Sequence, residues 1–357
     1  MKKALLVTHV SGFVPQFEMN NVRSLQKLGY EVHYATNYNN VSYGTDNHRL
    51  DNTGIVRHQV DFARSPFDIK AHKIACRQLK ELMEAEEFSL LHCHTPVGAA
   101  LARIVACKYR KKGLKVIYTA HGFHFYKGAP LKYWLMFYPV ERFLAGKTDV
   151  LITINQEDYT RAKCFCRRKK TKVEWLPGVG VDLAYWGGKD LTAGEKEEIR
   201  KKVRKELEVT DGEQLLLSVG ELIPRKNHEC VIRALAEQKK KGVTGFRYVI
   251  CGHGDLQEYL QGLIAELDLS DEVTLLGYCH NIRELLYAAD LFVFPSKQEG
   301  MPMALMEAAA AGIPLKASDI RGNREILEEC ASGAGLPEKY DVNSVKETMM
   351  RIYKELQ

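Results

Sequence analysis

The sequence predicts an α/β protein made of two Rossmann-like domains of similar size. Three observations predict it. Short β-branched runs alternate with amphipathic segments along nearly the whole chain, the pattern of parallel sheets covered by helices on both faces. The rhythm stops once, at Leu176-Pro177-Gly178-Val179-Gly180-Val181-Asp182, a stretch that cannot be helix, passes through the very polar Lys189–Glu208, and then restarts. The length, 357 residues, is enough for two domains of ordinary size.

The first domain, 1–180, opens on a strand at Ala4–Thr8. Phe17–Leu28 follows as a helix closed by Gly29, a residue that readily takes the left-handed conformation at a helix end. Further strands are expected at Glu31–Ala35, Leu90–His94, Val116–Ala120 and Val150–Ile154, with helical segments between them. In the second domain, 181–357, strands are expected at Leu215–Val219, Phe246–Cys251, Val273–Leu276, Leu291–Phe294 and Pro314–Ala317. Its helices include His228–Lys240, Leu256–Leu267 and Ile282–Ala288. Ligands of open α/β sheets bind at the carboxyl ends of the strands, so two such domains facing each other enclose a cleft suited to a ligand.

Composition narrows the function. With 45% hydrophobic and 27% charged residues the chain is not wholesale disordered. No apolar run approaches the ~20 residues of a bilayer span. The N-terminus carries two lysines and a short apolar run that His9 interrupts, which reads as the first strand of a cytoplasmic protein rather than a signal peptide. Nine cysteines lack regular spacing, and Cys164-Phe165-Cys166 is C-x-C, so reduced thiols are expected rather than a zinc set. The net charge of +6 is too mild for a nucleic-acid protein; it fits a phosphate-bearing ligand or an anionic membrane surface.

Several motif-like stretches fail on inspection. Gly146-Lys147-Thr148 resembles the end of a phosphate-binding P-loop, but Glu141 stands where the motif needs glycine and the upstream segment is helical. Gly178-Val179-Gly180 is followed by Leu183 where a dinucleotide fingerprint needs glycine or alanine. In His92-Cys93-His94 only His94 is expected to reach the cleft, which argues against a metal site there. No Asp-x-Asp occurs, so no carboxylate-held metal is expected.

The strongest signal is Phe294-Pro295-Ser296-Lys297-Gln298-Glu299-Gly300-Met301-Pro302-Met303-Ala304-Leu305-Met306-Glu307-Ala308. A strand ends at Phe294, a loop carries Glu299 and Gly300, and a helix is expected to begin near Pro302. The amides of Met301 to Leu305 would then point into the cleft and bind a pyrophosphate. Glu307 lies inside an otherwise apolar helix, where a buried carboxylate needs a partner; the hydroxyls of a ribose would supply one.

Two glutamates with seven residues between them, in Glu299-Gly300-Met301-Pro302 through Glu307-Ala308, resemble the signature of retaining glycosyltransferases of the GT-B fold, family 4. Other family landmarks are similar in kind and order. They are Thr119-Ala120-His121-Gly122-Phe123-His124, Gly178-Val179-Gly180-Val181-Asp182, Val219 through Asn227, Gly252-His253-Gly254-Asp255, Leu276-Gly277-Tyr278, Ala289-Asp290 and Asp319 through Asn323. The resemblance covers nearly the whole chain and implies a GT-B fold, two Rossmann-like domains facing across a cleft.

It also implies roles. Arg225 and Lys226 would neutralise the donor diphosphate and stabilise the leaving group; their bland reading is a solvated basic loop. Glu299 would hold the donor-sugar hydroxyls and Glu307 the ribose diol, the alternative for Glu307 being a structural ion pair. Gly300 and Met301 would offer amides to phosphate or sugar. His121, after a first-domain strand, would contact the donor sugar near the reacting carbon. Gly12 would let the backbone approach the diphosphate, with Gly220 in the corresponding loop of the second domain. Gly277, Tyr278 and Ile282 fit a base-binding loop. No cofactor is implied; the nucleotide-diphosphate sugar, a UDP-sugar on this reading, is a substrate.

The chain departs from the family at Lys316, where a hydrophobic strand residue is usual, and at Cys330–Leu336, which lacks the usual Asn-Gly turn. It also stops about one helix after Asp341, whereas family members commonly continue through another helix that crosses back to the first domain. The aromatic and lysine-bearing Tyr126–Pro139 and the basic Arg167–Lys172 suit a peripheral contact with an anionic membrane, at the inner face of the plasma membrane. The His-Gly-Phe-His-Phe-Tyr-Lys-Gly-Ala-Pro wording resembles exopolysaccharide and capsule enzymes, whose acceptors are lipid-diphosphate-linked sugars. The expected function is metal-independent, retaining sugar transfer to a lipid-linked or glycan acceptor. The rivals are a sugar-nucleotide epimerase of the same fold, which would act with no acceptor, and a non-catalytic UDP-binding assembly protein, which would turn nothing over.

Overall fold

The computed structural model describes residues 1–43, 46–331, 333 and 335–357. The chain forms two compact units, one of residues 1–179 together with 343–357, the other of residues 180–342.

The first unit holds a seven-stranded sheet ordered β3-β2-β1-β4-β5-β6-β7, every neighbouring pair parallel. Its strands are β1 (Lys2–Val7), β2 (Tyr30–Thr36), β3 (Val56–Gln59), β4 (Phe88–His94), β5 (Lys115–Ala120), β6 (Val150–Thr153) and β7 (Lys172–Trp175). Alternate side chains leave opposite faces of a strand, and the two core clusters divide accordingly. Leu5, Val7, Leu91, Cys93, Val116 and Tyr118 pack against helices Ile69–Ala85 and Pro96–Arg110. Ala4, Leu6, Leu90, Ile117 and Ile152 face the other way, onto Val22 and Leu25 of helix Met19–Lys27.

That second face is completed by the end of the chain. Helix Val342–Glu355 contributes Val345, Met349, Ile352 and Tyr353 to the same cluster. Residues 343–357, assigned from the sequence to the second domain, thus belong to the first unit, and the helix that crosses back is present. The amphipathic repeat defines an apolar stripe but not which sheet it covers.

The second unit is a five-stranded sheet ordered β10-β9-β8-β11-β12, again all parallel. Its strands are β8 (Gln214–Val219), β9 (Phe246–Cys251), β10 (Val273–Gly277), β11 (Leu291–Phe294) and β12 (Leu315–Ala317). β3 and β7 are additions to the strands expected; both are edge strands with charged residues at intervals, which is how exposed edges are kept soluble. The same position explains Lys316, which is exposed on edge strand β12. Of the loop at 330–336, residues 332 and 334 lie outside the described residues.

In each sheet the direction of winding reverses once, between β1 and β4 and between β8 and β11. Loops leaving the carboxyl ends of the two central strands diverge at such a point and leave a crevice for a ligand.

Candidate functional site

The loops that follow β8 and β11 carry Arg225, Lys226 and Glu299, so 73 residues of sequence separation close at the switch point of the second unit. The loops are stitched by backbone. Lys297 N–H donates to the Arg225 carbonyl at 2.9 Å, and the Asn227 side-chain amide donates to the Pro295 carbonyl at 3.2 Å. Onto this frame Glu299 Oε1 accepts from Arg225 Nη1 and from Lys226 Nζ, each at 2.8 Å. Arg225 Nη1 also reaches the Gln298 carbonyl at 2.9 Å. Glu299 and Lys226 are only 10% and 13% exposed, while Arg225 is 39% exposed. Two cations therefore converge on one carboxylate oxygen in a partly desolvated place, where charge interactions are strong. Gly220, at the start of the β8 loop, lies beneath the Lys226 stem, which an added Cβ would meet at 3.3 Å.

Helix Met303–Ala311 starts one residue later than expected: Pro302 is its extended N-cap, and no side chain caps it. The first helical bond is Met306 N–H to the Pro302 carbonyl at 3.2 Å, so the preceding amides, Met303 to Leu305, have no acceptor within the helix. Met301 is buried just before it. The Glu299–Gly300 turn is pinned from behind: Arg321 Nε donates to the Glu299 carbonyl at 3.2 Å, and a Cβ on Gly322 would fall 2.3 Å from the Gly300 oxygen. Only glycine permits that approach. Glu307 points from this helix with no hydrogen bond or ion pair among the described residues, and burial pushes its carboxyl up to about 7. Among the described residues, the structural ion pair that competed with the ribose reading is absent.

Gly277 ends β10 with φ of +70°, and Ile282 opens helix Ile282–Ala288. Between them Tyr278 is 68% exposed, its ring flanked by His253 and His280 at centroid distances of 6.1 and 4.9 Å. A cavity of about 420 Å³ adjoins this loop, lined by Tyr278, Leu276, Cys279 and Leu285 together with Val203 and Leu207; it does not include Arg225, Lys226, Glu299 or Glu307.

In the first unit the switch point gathers a different set. His121 follows β5, His94 ends β4, and Glu18 ends the π-helical turn Val14–Glu18 after β1. His94 Nδ1 lies 3.1 Å from His121 Nε2, and Glu18 Oε1 lies 3.4 and 3.6 Å from those nitrogens. These are the three ligand atoms whose spacing a metal ion would accept among the described residues, although the sequence signalled no metal. Glu18 and His94 are buried, and His121 keeps 22% of its side chain exposed. Burial raises the Glu18 carboxyl to about 8 and lowers His121 to about 4, so each favours its neutral form near pH 7.

One expectation needs correction here, and two glycine-bearing stretches find their place in the fold. Residues two apart on a strand share a face, so His92 does not turn away from His94: their ring centroids are 4.1 Å apart, with His92 bonded to Tyr353 and Thr119. Gly12 owes its identity to the chain itself, because a Cβ there would lie 1.6 Å from the Ser42 carbonyl oxygen. Gly146-Lys147-Thr148 closes helix Leu131–Ala145, with Thr148 bonded to the Leu144 carbonyl at 3.0 Å. Glu18 was missed, and Arg321, inside the Asp319–Asn323 landmark, had no role assigned to it. A glutamate early in the Phe17–Leu28 stretch reads as ordinary helix-terminal charge, and only burial marks it.

Comparison with known proteins identifies the family. Residues 2–155 match the family model described as "Glycosyl transferase 4-like", and residues 199–356 the one described as "Glycosyl transferases group 1". The chain is 36% identical to "Putative glycosyltransferase EpsD" of Bacillus subtilis over 93% of its own length and 82% of that protein's. It is 30% identical to the UDP-Gal:alpha-D-GlcNAc-diphosphoundecaprenol alpha-1,3-galactosyltransferase of Escherichia coli, over 77% of this chain and 68% of the other. Among solved structures, Anabaena Alr3699/HepE in complex with UDP and glucose superposes with a TM-score of 0.72 at 17% identity, covering 99% of this chain and all of that one. That likeness speaks to fold. With each half matched to a glycosyltransferase family model and a relative aligned over most of its length, the chain belongs to the GT-B glycosyltransferases of the family 4 type.

Proposed function

We propose that the chain moves a sugar from a nucleotide-diphosphate donor, a UDP-sugar, to a lipid-diphosphate-linked or glycan acceptor in surface polysaccharide biosynthesis, without a metal ion and with retention at the anomeric carbon. The observation that carries this reading is the convergence of Arg225 and Lys226 on Glu299, beside a helix with uncapped amides and an unpartnered Glu307. The two cations supply charge where a diphosphate leaving group develops it. Glu307 takes the ribose diol, Glu299 the sugar hydroxyls, and His121 the sugar from the first unit. The glycosidic C1–O bond to the phosphate breaks as the acceptor oxygen bonds C1 on the same face, and the acceptor proton passes to the departing phosphate. The Escherichia coli relative is named for a UDP-Gal donor and a diphosphoundecaprenol acceptor, and a Campylobacter jejuni relative, 35% identical over 37% of this chain, is also named for a diphospho-undecaprenol acceptor.

A thermal-shift panel of nucleotide sugars identifies the donor, since the one that binds raises the melting temperature by mass action. With that donor and a lipid-diphosphate acceptor, turnover is expected to survive EDTA, and the product linkage to keep the donor's anomeric configuration by NMR. Loss of turnover restored by manganese or magnesium defeats the metal-free step; an inverted linkage defeats retention.

The first unit also carries a surface suited to a membrane. Helix Leu131–Ala145 buries Leu144 and Ala145 and packs Trp134, Phe137 and Tyr138 on the core, while Leu131, Leu135 and Phe143 are 72%, 70% and 63% exposed. These three share one face at four-residue spacing or its multiple. Exposed Lys132 and Arg142 border them, and Lys169 of the basic run donates to the Arg142 carbonyl, drawing Arg167, Arg168 and Lys170 alongside. No helix among the described residues is long and apolar enough to cross a membrane. Binding to phosphatidylglycerol vesicles is expected, weakened by raised salt and by Leu135→Glu with Phe143→Glu. Equal sedimentation with neutral and anionic vesicles would remove this surface from consideration.

A further inference from the structure

We propose that His94 and Glu18 are positioning residues that hold His121 as a neutral imidazole with its proton on Nδ1, presenting an N–H donor to the transferred sugar. The proposal rests on the reading that His121 meets that sugar, but its first premise is geometric. His94 Nε2 is buried with no hydrogen-bond partner. A proton there would be an unsatisfied buried donor, the costlier kind of orphan, so the single proton of His94 sits on Nδ1. That N–H has His121 Nε2 at 3.1 Å as acceptor. A neutral imidazole that accepts at Nε2 must carry its proton on Nδ1.

The surrounding groups keep both rings neutral. Glu18 Oε2 accepts from the Asn21 side-chain amide, while Oε1 lies beside the His94 and His121 nitrogens. Glu18 and His94 are sealed from solvent beside His121, where an unpaired charge is costly. His92 packs on the far side of His94 and is itself held by Tyr353 at 2.9 Å and Thr119 at 2.8 Å. Phe13 sets its edge against the His121 ring at a centroid distance of 4.9 Å, which limits rotation. The same three ligand atoms could instead surround zinc, in which case the nitrogens would be metal-bound rather than hydrogen-bonded.

The direct readout is the histidine tautomer in the full chain without donor, by long-range ¹H–¹⁵N correlation on ¹⁵N-histidine-labelled protein. At pH 7.5 His121 is expected as the Nδ1–H form. In His94→Phe, which keeps a ring and removes both nitrogens, it is expected to shift toward Nε2–H, with kcat/KM falling about 10- to 100-fold. His94→Asn places an amide N–H near the lost Nδ1–H and should recover the Nδ1–H form and part of the activity. Glu18→Gln, which cannot ionise, should leave the tautomer as it is. An Nε2–H form in the wild type, or one unmoved by His94→Phe, overturns the proposal; so does one equivalent of zinc in the purified protein. A tautomer shifted by Glu18→Gln overturns the neutral role of Glu18. Should His94→Phe fail to fold, the wild-type and His94→Asn spectra still decide. If the tautomer is as stated and no sugar is transferred, the functional reading fails while the placement of the His121 proton by His94 stands.

Discussion

Lys226→Ala is expected to weaken UDP binding by about ten- to a hundredfold, the equivalent of one charge-assisted hydrogen bond of roughly 1.5–3 kcal/mol. Its kcat/KM should fall further, because negative charge on the diphosphate grows as the glycosidic bond breaks and only interactions that strengthen in that state speed the step. Arg225→Ala should act in the same direction but less strongly, since Arg225 is the more exposed of the two cations and spends part of its hydrogen bonding on the Gln298 carbonyl. Glu299→Gln should behave in the opposite way toward the nucleotide. In the unliganded protein its carboxylate occupies both cations. Removing that charge frees them, so UDP should bind no more weakly than to wild type while turnover drops on the order of a hundredfold, from lost hold on the sugar. Calorimetry with UDP beside turnover with the donor separates the effects. Weakened UDP binding in Glu299→Gln would mean the glutamate touches the nucleotide and the assignment is wrong.

Glu307 adds a pH dependence to the same experiment. Its carboxyl sits at about 7 in the free protein because burial disfavours the charge. The ionised form accepts from both hydroxyls of a ribose more strongly than the acid, one of whose oxygens carries a proton, so binding favours loss of that proton. Affinity for a UDP-sugar, whose diphosphate does not titrate near neutrality, should therefore rise with pH through that value. Between pH 6 and pH 8 the gain is about tenfold if the bound carboxylate stays ionised throughout. Glu307→Gln should bind more weakly and lose the slope. A slope that survives Glu307→Gln would place the titrating group elsewhere.

Most strands were legible because a strand buried on both faces must be a short run of branched apolar residues, whatever it packs against. That is why β1, β2, β4, β5 and β6 and the strands of the second unit could be placed to within a few residues. β3 (Val-Arg-His-Gln) and β7 (Lys-Val-Glu-Trp) escaped because an edge strand is solvated and need not be apolar. The Arg225, Lys226 and Glu299 constellation is legible in the sequence only through resemblance; local spacing does not bring two loops 73 residues apart onto one carboxylate, and topology does. Gly12 illustrates the converse. The residue was singled out correctly as one that must lack a side chain, yet the partner that demands it is the Ser42 backbone. Glu18 gave no signal at all, since nothing in its neighbours distinguishes a helix-terminal charge in water from one sealed beneath two histidines.

Deleting residues 343–357 is expected to prevent the first unit from folding. The helix they form buries Val345, Met349, Ile352 and Tyr353 in the cluster that includes Leu6, Val32, Ile117 and Ile152. At roughly 1.5–3 kcal/mol for each buried side chain the loss is on the order of 6–12 kcal/mol, comparable to the whole stability of an ordinary domain. Polar ties would go with it. Tyr353 Oη bonds His92 Nδ1 at 2.9 Å, and Glu355 pairs with Lys172 at 2.7 Å. The exposed Glu355 pair is worth little, so the apolar face dominates. Two point variants grade the effect. Tyr353→Ala opens a cavity in that cluster and should cost about 3–5 kcal/mol. Tyr353→Phe keeps the ring and strands the His92 nitrogen, for about 1–3 kcal/mol. The measurement is urea unfolding followed by tryptophan fluorescence, which Trp134 and Trp175 report from the first unit and Trp186 from the second. The expected outcome is a lower midpoint for the first unit in both variants, with the larger shift in Tyr353→Ala. A truncated chain that unfolds at the wild-type urea concentration would show that the first sheet needs no cover from the returning helix.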